Sequence, residues 1–95
     1  MSDQQRLDFL SAFGEEFCDS LSSTVGMDNI VPQDSYEVIL RASGTEPSPE
    51  MLSSLSESQV ELIRAECARY FECQGITTEQ IRIAVSRTLA RYPAP

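Results

Sequence analysis

Apolar residues near the start of the chain recur at the spacing of an α-helix. At 100° per residue, six of them share one arc: Leu7, Phe9, Leu10, Phe13, Phe17 and Leu21. Four acids, which we call the acidic stripe, fall on the other side: Asp8, Glu15, Glu16 and Asp19. The pattern predicts an amphipathic helix that begins near Ser2 or Asp3 and ends in the run 22–26. We interpret the apolar arc as core packing rather than an exposed docking ridge.

The middle of the chain contains a shorter element between turn residues. The segment 27–32 is predicted to be a turn, and a helix over 36–42 follows, capped by Asp34 or Ser35 and ended by Gly44. The alternative for 36–42 is a strand, because its centre is apolar and partly β-branched. A lone strand would have no partner elsewhere in the sequence, so we favour the helix.

The last part of the chain predicts three further helices. Pro49 is well placed to begin a short helix that reaches Leu55. Two longer helices, 57–74 and 78–92, follow on either side of Gly75. Each opens with a capping-box pair, Ser56 with Gln59 and Thr77 with Gln80. Helices joined by so short a turn must pack or cross, so we predict an all-α bundle of four to five short helices that ends in a helical hairpin.

Size and composition bound the class of protein. Ninety-five residues, 41% of them hydrophobic, predict a single helical domain over 1–95 with a modest core. No apolar run approaches the roughly 20 residues needed to span a bilayer. Residues 1–6 lack the basic and then apolar layout of a secretion signal. We therefore expect a cytoplasmic protein that has no membrane partner.

The chain contains neither lysine nor histidine, which removes most catalytic chemistry. Without histidine, the commonest general base near neutral pH and every Ser-His-Asp arrangement are absent. Without lysine, Schiff-base chemistry and the phosphate-binding P-loop are excluded. The scattered cysteines Cys18, Cys67 and Cys73 have no histidine to join them in a zinc site, and we interpret them as small buried hydrophobes. A catalytic pair of carboxylates is still possible in principle, but the acids fall mostly on predicted solvent faces. We therefore predict no catalytic residues, no cofactor and no metal, and hence no enzyme.

The net charge of −8 is spread unevenly along the chain. Residues 1–63 carry twelve acids and two arginines, a sum of −10, whereas residues 64–95 carry five arginines and three acids, a sum of +2. The acidic stripe is either a solvated helix face or a surface that imitates nucleic-acid phosphates and occupies a basic site on another protein. We predict a protein-binding regulator or stoichiometric inhibitor, of the anti-CRISPR-like or DNA-mimic-like kind that phages and mobile elements encode. The acidic stripe would carry the contact, and Arg87 and Arg91 would fix orientation or self-association, for which a homodimer is one form.

The alternative function is a small DNA-binding regulator, because the 57–92 hairpin partly resembles a helix-turn-helix motif. Arg87 and Arg91 are four residues apart and share a face with Gln80, as contacts to phosphates or bases require. Phe71, however, occupies a position where the motif favours a small residue, and the overall negative charge opposes binding to DNA. We favour the interpretation that these arginines pair with acids elsewhere in the fold or in a partner.

One segment, 41–47, resembles the phosphate-binding loop of the phosphohexomutases. Its sequence is Arg41-Ala42-Ser43-Gly44-Thr45-Glu46-Pro47. In that family the arginine, serine and threonine hold the substrate phosphate, which would here assign the phosphate to Arg41, Ser43 and Thr45. The resemblance covers seven residues, and the phosphoserine and metal-binding loops of the family have no counterpart in this chain. We interpret the segment as a turn and retain sugar-phosphate binding without catalysis as a third option.

Overall fold

The computed structural model describes residues 2–25 and 31–94, which form five α-helices joined by short links. In chain order they are α1 (Asp3–Val25), α2 (Pro32–Ser43), α3 (Pro49–Ser53), α4 (Glu57–Tyr70) and α5 (Thr78–Arg91). No strand occurs in these two ranges. The predicted all-α architecture is confirmed, and the alternative strand over 36–42 is wrong. The turn predicted over 27–32 lies mostly outside the described residues.

α2 begins at Pro32, four residues earlier than predicted. Pro32 occupies the first helical position. A backbone N–H at this position has no partner within the helix, so the missing N–H of proline costs no hydrogen bond. Asp34 therefore acts from inside the first turn, where its Oδ2 accepts from the backbone N–H of Val31 at 3.0 Å. At the other end, Gly44 adopts a φ of +79° and its N–H donates to the carbonyl of Leu40 at 2.8 Å. This left-handed cap confirms Gly44 as the residue that ends the helix.

Both predicted capping boxes are present. At α4, the Ser56 Oγ accepts from the backbone N–H of Gln59 at 3.3 Å, and the Gln59 Oε1 accepts from the N–H of Ser56 at 2.7 Å. At α5, Thr77 and Gln80 make the same reciprocal pair at 3.3 and 2.6 Å. These local bonds satisfy N–H groups that a helix start leaves without partners, so the sequence alone locates both helix starts.

α4 ends at Tyr70, so the prediction that it continues to residue 74 and stops at Gly75 is wrong. Glu72, with a φ of +52°, takes the left-handed position instead. The N–H of Cys73 then donates to the carbonyl of Ala68 at 2.9 Å, and the N–H of Glu72 donates to that of Arg69 at 3.3 Å. These two bonds form a Schellman motif around a residue other than glycine. The short α3 likewise ends at Ser53, two residues before the predicted Leu55.

The core lies where α1 packs against α2 and α5, while α4 contacts α2 and α5. Phe9, Phe13, Phe17 and Leu21 are all buried, which confirms the interpretation of the apolar arc as core. Leu7 is the exception and is 54% exposed. It lies at one edge of the arc, whereas Phe9 at the other edge is covered by the Tyr92 ring, with ring centroids 6.0 Å apart.

Candidate partner-binding surface

The acidic stripe of α1 does not stand free along its whole length, because α5 lies beside it. The Arg87 Nη1 atom is 3.5 Å from the Asp19 Oδ2 and 3.9 Å from the Glu16 Oε2. The Arg91 Nη1 atom is 3.8 Å from both the Glu15 Oε2 and the Glu16 Oε1. The structure therefore brings five of the six predicted partner-binding residues together, and it confirms that the two arginines pair with acids within the fold.

These ion pairs are loose. Their nitrogen–oxygen distances exceed the 2.9 Å of the Arg6–Glu46 pair, which is joined by two parallel hydrogen bonds. The side chains of Arg87 and Arg91 are at least half exposed, and of their acidic partners Glu16 alone is largely covered, at 20% exposure. Exposed ion pairs of this kind contribute about 0–1 kcal/mol each, because solvent screens them and two long side chains lose freedom. The pairs can therefore open at little cost.

Asp8 lies apart from this group, toward the start of α1. Its Oδ1 accepts a hydrogen bond from Gln4 at 2.9 Å. Together with Glu50, at the start of α3, it lines a cleft of about 420 Å³. Pro49 and Tyr92 give this cleft apolar walls, and Arg91 also lines it. Glu50 is not apparent as a site residue from the sequence, because no periodicity connects a residue of α3 to the stripe on α1.

Every arginine of the chain lies within 4.0 Å of a carboxylate oxygen. Besides the two that face α1, the pairs are Arg6 with Glu46 (2.9 Å), Arg41 with Glu37 (3.3 Å), Arg64 with Glu61 (2.6 Å), Arg69 with Glu66 (3.7 Å) and Arg82 with Glu57 and Glu79. The hydrogen bond from Arg64 lowers the pKa of Glu61. Within residues 2–25 and 31–94, five acids have no arginine nitrogen this close: Asp3, Asp8, Asp34, Glu50 and Glu72. Positive charge is thus committed internally, whereas some negative charge is not.

The segment that resembles a phosphate-binding loop forms the end of α2. The Ser43 Oγ donates to the carbonyl of Ile39 at 2.7 Å and lies 3.4 Å from the Thr45 Oγ1. The Arg41 guanidinium is paired with Glu37 and lies 5.4 Å from the centroid of the Tyr70 ring. The structure thus brings Ser43 and Thr45 together and gives the guanidinium other contacts. Phosphate binding at 41–47 stays a prediction.

The cysteines and the acids form no metal site within the described parts of the chain. All three cysteines are free, and Cys67 lies in the core. Burial raises the pKa of the Cys67 thiol to about 12 and also raises the pKa of Cys18, so both are protonated near neutral pH. Across residues 2–25 and 31–94, we find no helix with the length and apolar character that crossing a bilayer would take.

Comparison with known proteins adds no further constraint. The chain matches no protein-family model, and neither a curated protein nor a solved structure is significantly similar to it. Its function is therefore inferred from its own residues and contacts.

Proposed function

We propose that this protein acts without catalysis, by binding a partner protein through the acidic side of α1. The partner would present a basic surface, and occupation of that surface would regulate or inhibit it. The observation that carries this proposal is the distribution of charge: every arginine is held by a carboxylate, while Asp8 and Glu50 share a cleft and have no arginine nitrogen within 4.0 Å. A surface of this kind attracts basic groups and repels phosphates.

A basic side chain of the partner would meet two kinds of acid on this side of the molecule. At the cleft, Asp8 and Glu50 could accept it directly, while Tyr92 packs against its aliphatic stem. Farther along α1, the carboxylates of Glu15 and Asp19 are exposed but already carry loosely held arginines. A groove that ordinarily holds nucleic acid is one partner surface with the required charge, which is the inhibitor form of the proposal.

The same contacts make duplex DNA a weaker candidate than a protein. The DNA-binding alternative assigns Arg87 and Arg91 to phosphates, yet both contact carboxylates of α1. DNA would have to displace those acids and approach a chain of net charge −8. Since non-specific DNA affinity comes mainly from freely offered cationic side chains, this arrangement favours the protein partner.

The test begins with affinity capture of a partner from a host lysate, after which affinity is measured by calorimetry at 50 and 300 mM salt. We expect D8R/E50R to weaken binding at least tenfold at the lower salt, because two attractive contacts become repulsive. The control is E72R/E79R, which makes the same charge change just after α4 and in the first turn of α5, and leaves affinity within about twofold. Affinity that is indifferent to salt and to D8R/E50R would refute the proposal. So would a mobility shift of random duplex DNA that Arg87→Glu abolishes.

A further inference from the structure

α5 places two guanidinium groups on the acidic stripe in the manner of a bound ligand. Arg87 and Arg91 are four residues apart, and so are Glu15 and Asp19 on α1. This common spacing lets one helix present two bases to two acids, with Glu16 shared between them. The fold thus provides a direct example of what the stripe accepts: a basic helix whose arginines recur every four residues.

The contact is suited to exchange rather than to permanent bonding. All four nitrogen–oxygen distances lie between 3.5 and 3.9 Å, and among the α1 residues whose side chains the structure describes, 3–22, none forms a hydrogen bond with either guanidinium. Arg91 has a second environment within reach, since it also lines the cleft and its guanidinium carbon lies 5.9 Å from the centroid of the Tyr92 ring. The packing of α1 on α5 does not depend on the two arginines, because Phe9, Phe13 and Ile81 are buried in the core that joins the two helices.

We propose that Arg87 and Arg91 are internal competitors, which occupy the acidic stripe in cis and which basic side chains of the partner displace in trans. This inference rests on the proposed function and reassigns the two arginines, which sequence analysis placed among the residues that contact the partner. It also defines the partner chemistry, a helical segment with bases four residues apart. The sign of the effect follows: removing the two arginine charges strengthens binding of a basic ligand, whereas loss of a true contact residue weakens it.

The test uses a hepta-arginine peptide as the basic probe, titrated at 50 mM salt into the full chain. We expect R87Q/R91Q to bind the peptide about fivefold more tightly than R64Q/R69Q, a control in which the net charge changes equally but away from the stripe. R87K/R91K, which keeps both charges, should bind like the wild type. Thermal melting monitored by circular dichroism shows that each variant is folded, and the single variant R87Q gives the same direction of change if the double variant is not.

Equal affinity of R87Q/R91Q and R64Q/R69Q for the peptide would overturn the inference, and weaker binding of R87Q/R91Q would overturn it in favour of a direct contact role. Neither result would decide whether a natural partner binds near Asp8 and Glu50, because that question depends on the D8R/E50R variant. Conversely, tighter binding by R87Q/R91Q supports the competitor role even if no natural partner is captured. The two proposals therefore fail on different measurements.

Discussion

Deprotonation of Cys67 at high pH offers a direct test of how the core is built. The side chain is fully buried, and burial raises the pKa of its thiol from 9.0 to about 12. The unfolded chain, in contrast, releases this proton near pH 9. Because the pKa is raised in the folded state, the thiol's contribution to stability is fully present below about pH 9 and is lost as the pH rises toward 12.

The size of the effect follows from the difference between the two pKa values of Cys67. One pKa unit corresponds to about 1.4 kcal/mol, so a difference of about three units corresponds to about 4 kcal/mol once both states are ionised. Between pH 7.5 and 10.5, the free energy of unfolding should fall by about 2 kcal/mol on account of this group alone. For a domain of this size, that is a substantial part of a total stability of about 5–15 kcal/mol.

Urea denaturation monitored by circular dichroism at pH 7.5 and 10.5 measures the effect. Cys67→Ala should be less stable than the wild type at pH 7.5, because it removes buried volume, but should lose about 2 kcal/mol less on going to pH 10.5. Tyr36 and Tyr70, whose pKa values are also raised, titrate in both proteins and so cancel in the difference. The control Cys73→Ala keeps Cys67 and should retain the wild-type fall. An equal fall in Cys67→Ala and the wild type would refute the reasoning.

Two further substitutions test the caps. Gly44→Ala should lower the free energy of unfolding by about 1 kcal/mol in urea denaturation, because the residue has a φ of +79° and a new Cβ would contact nothing within 4 Å, so that the cost is purely one of backbone conformation. Gly75→Ala, at a glycine without a positive φ, should change it by less than about 0.5 kcal/mol, and equal costs would contradict this explanation. Gln80→Met should cost about 1–3 kcal/mol, because the 5%-exposed amide accepts from the N–H of Thr77 and donates to the carbonyl of Ser20 at 3.4 Å. Gln59→Met removes the same capping bond at the exposed start of α4, and a cost there as large as that of Gln80→Met would show that the contact with Ser20 contributes nothing.

The elements that sequence analysis located well are those determined by neighbours in the chain. The reciprocal bonds of Ser56 with Gln59 involve residues three apart, so the start of α4 is visible without knowledge of the fold. The end of α4 is not visible from the sequence. A left-handed Glu72 costs about 1–2 kcal/mol, so local preference points to Gly75 as the residue that ends the helix. Tyr70 and Phe71 pack edge to face there, with ring centroids 5.0 Å apart, and both lie against the core. Tertiary packing thus outweighs the local preference.

For the candidate surface, too, the sequence predicts what depends on local periodicity and does not predict what depends on the packing of one helix on another. Helical periodicity places Glu15, Glu16 and Asp19 on the side of α1 away from the phenylalanines, and in the structure Glu15 and Asp19 are exposed whereas Glu16 is largely covered. Periodicity does not predict, however, which other helix packs next to this acidic face of α1. The contacts of Arg87 with Glu16 and Asp19 join residues at opposite ends of the chain, and they depend on α5 packing along α1. The sequence could therefore suggest that the arginines pair with acids, but not with which ones.

The split of charge along the sequence has a different meaning once the chain is folded. The cationic C-terminal segment lies against the acidic N-terminal helix, so the two ends offset each other instead of forming opposite poles. The carboxylates of Asp8 and Glu50 then remain without an arginine nitrogen within 4.0 Å, although Arg91 lines the same cleft. Long-range attraction chiefly sets the rate of encounter, whereas exchange of close ion pairs sets the rate of dissociation. In the proposed mechanism, Asp8 and Glu50 both attract a basic partner and contact it directly, while competition from Arg87 and Arg91 lowers its affinity for the rest of the stripe.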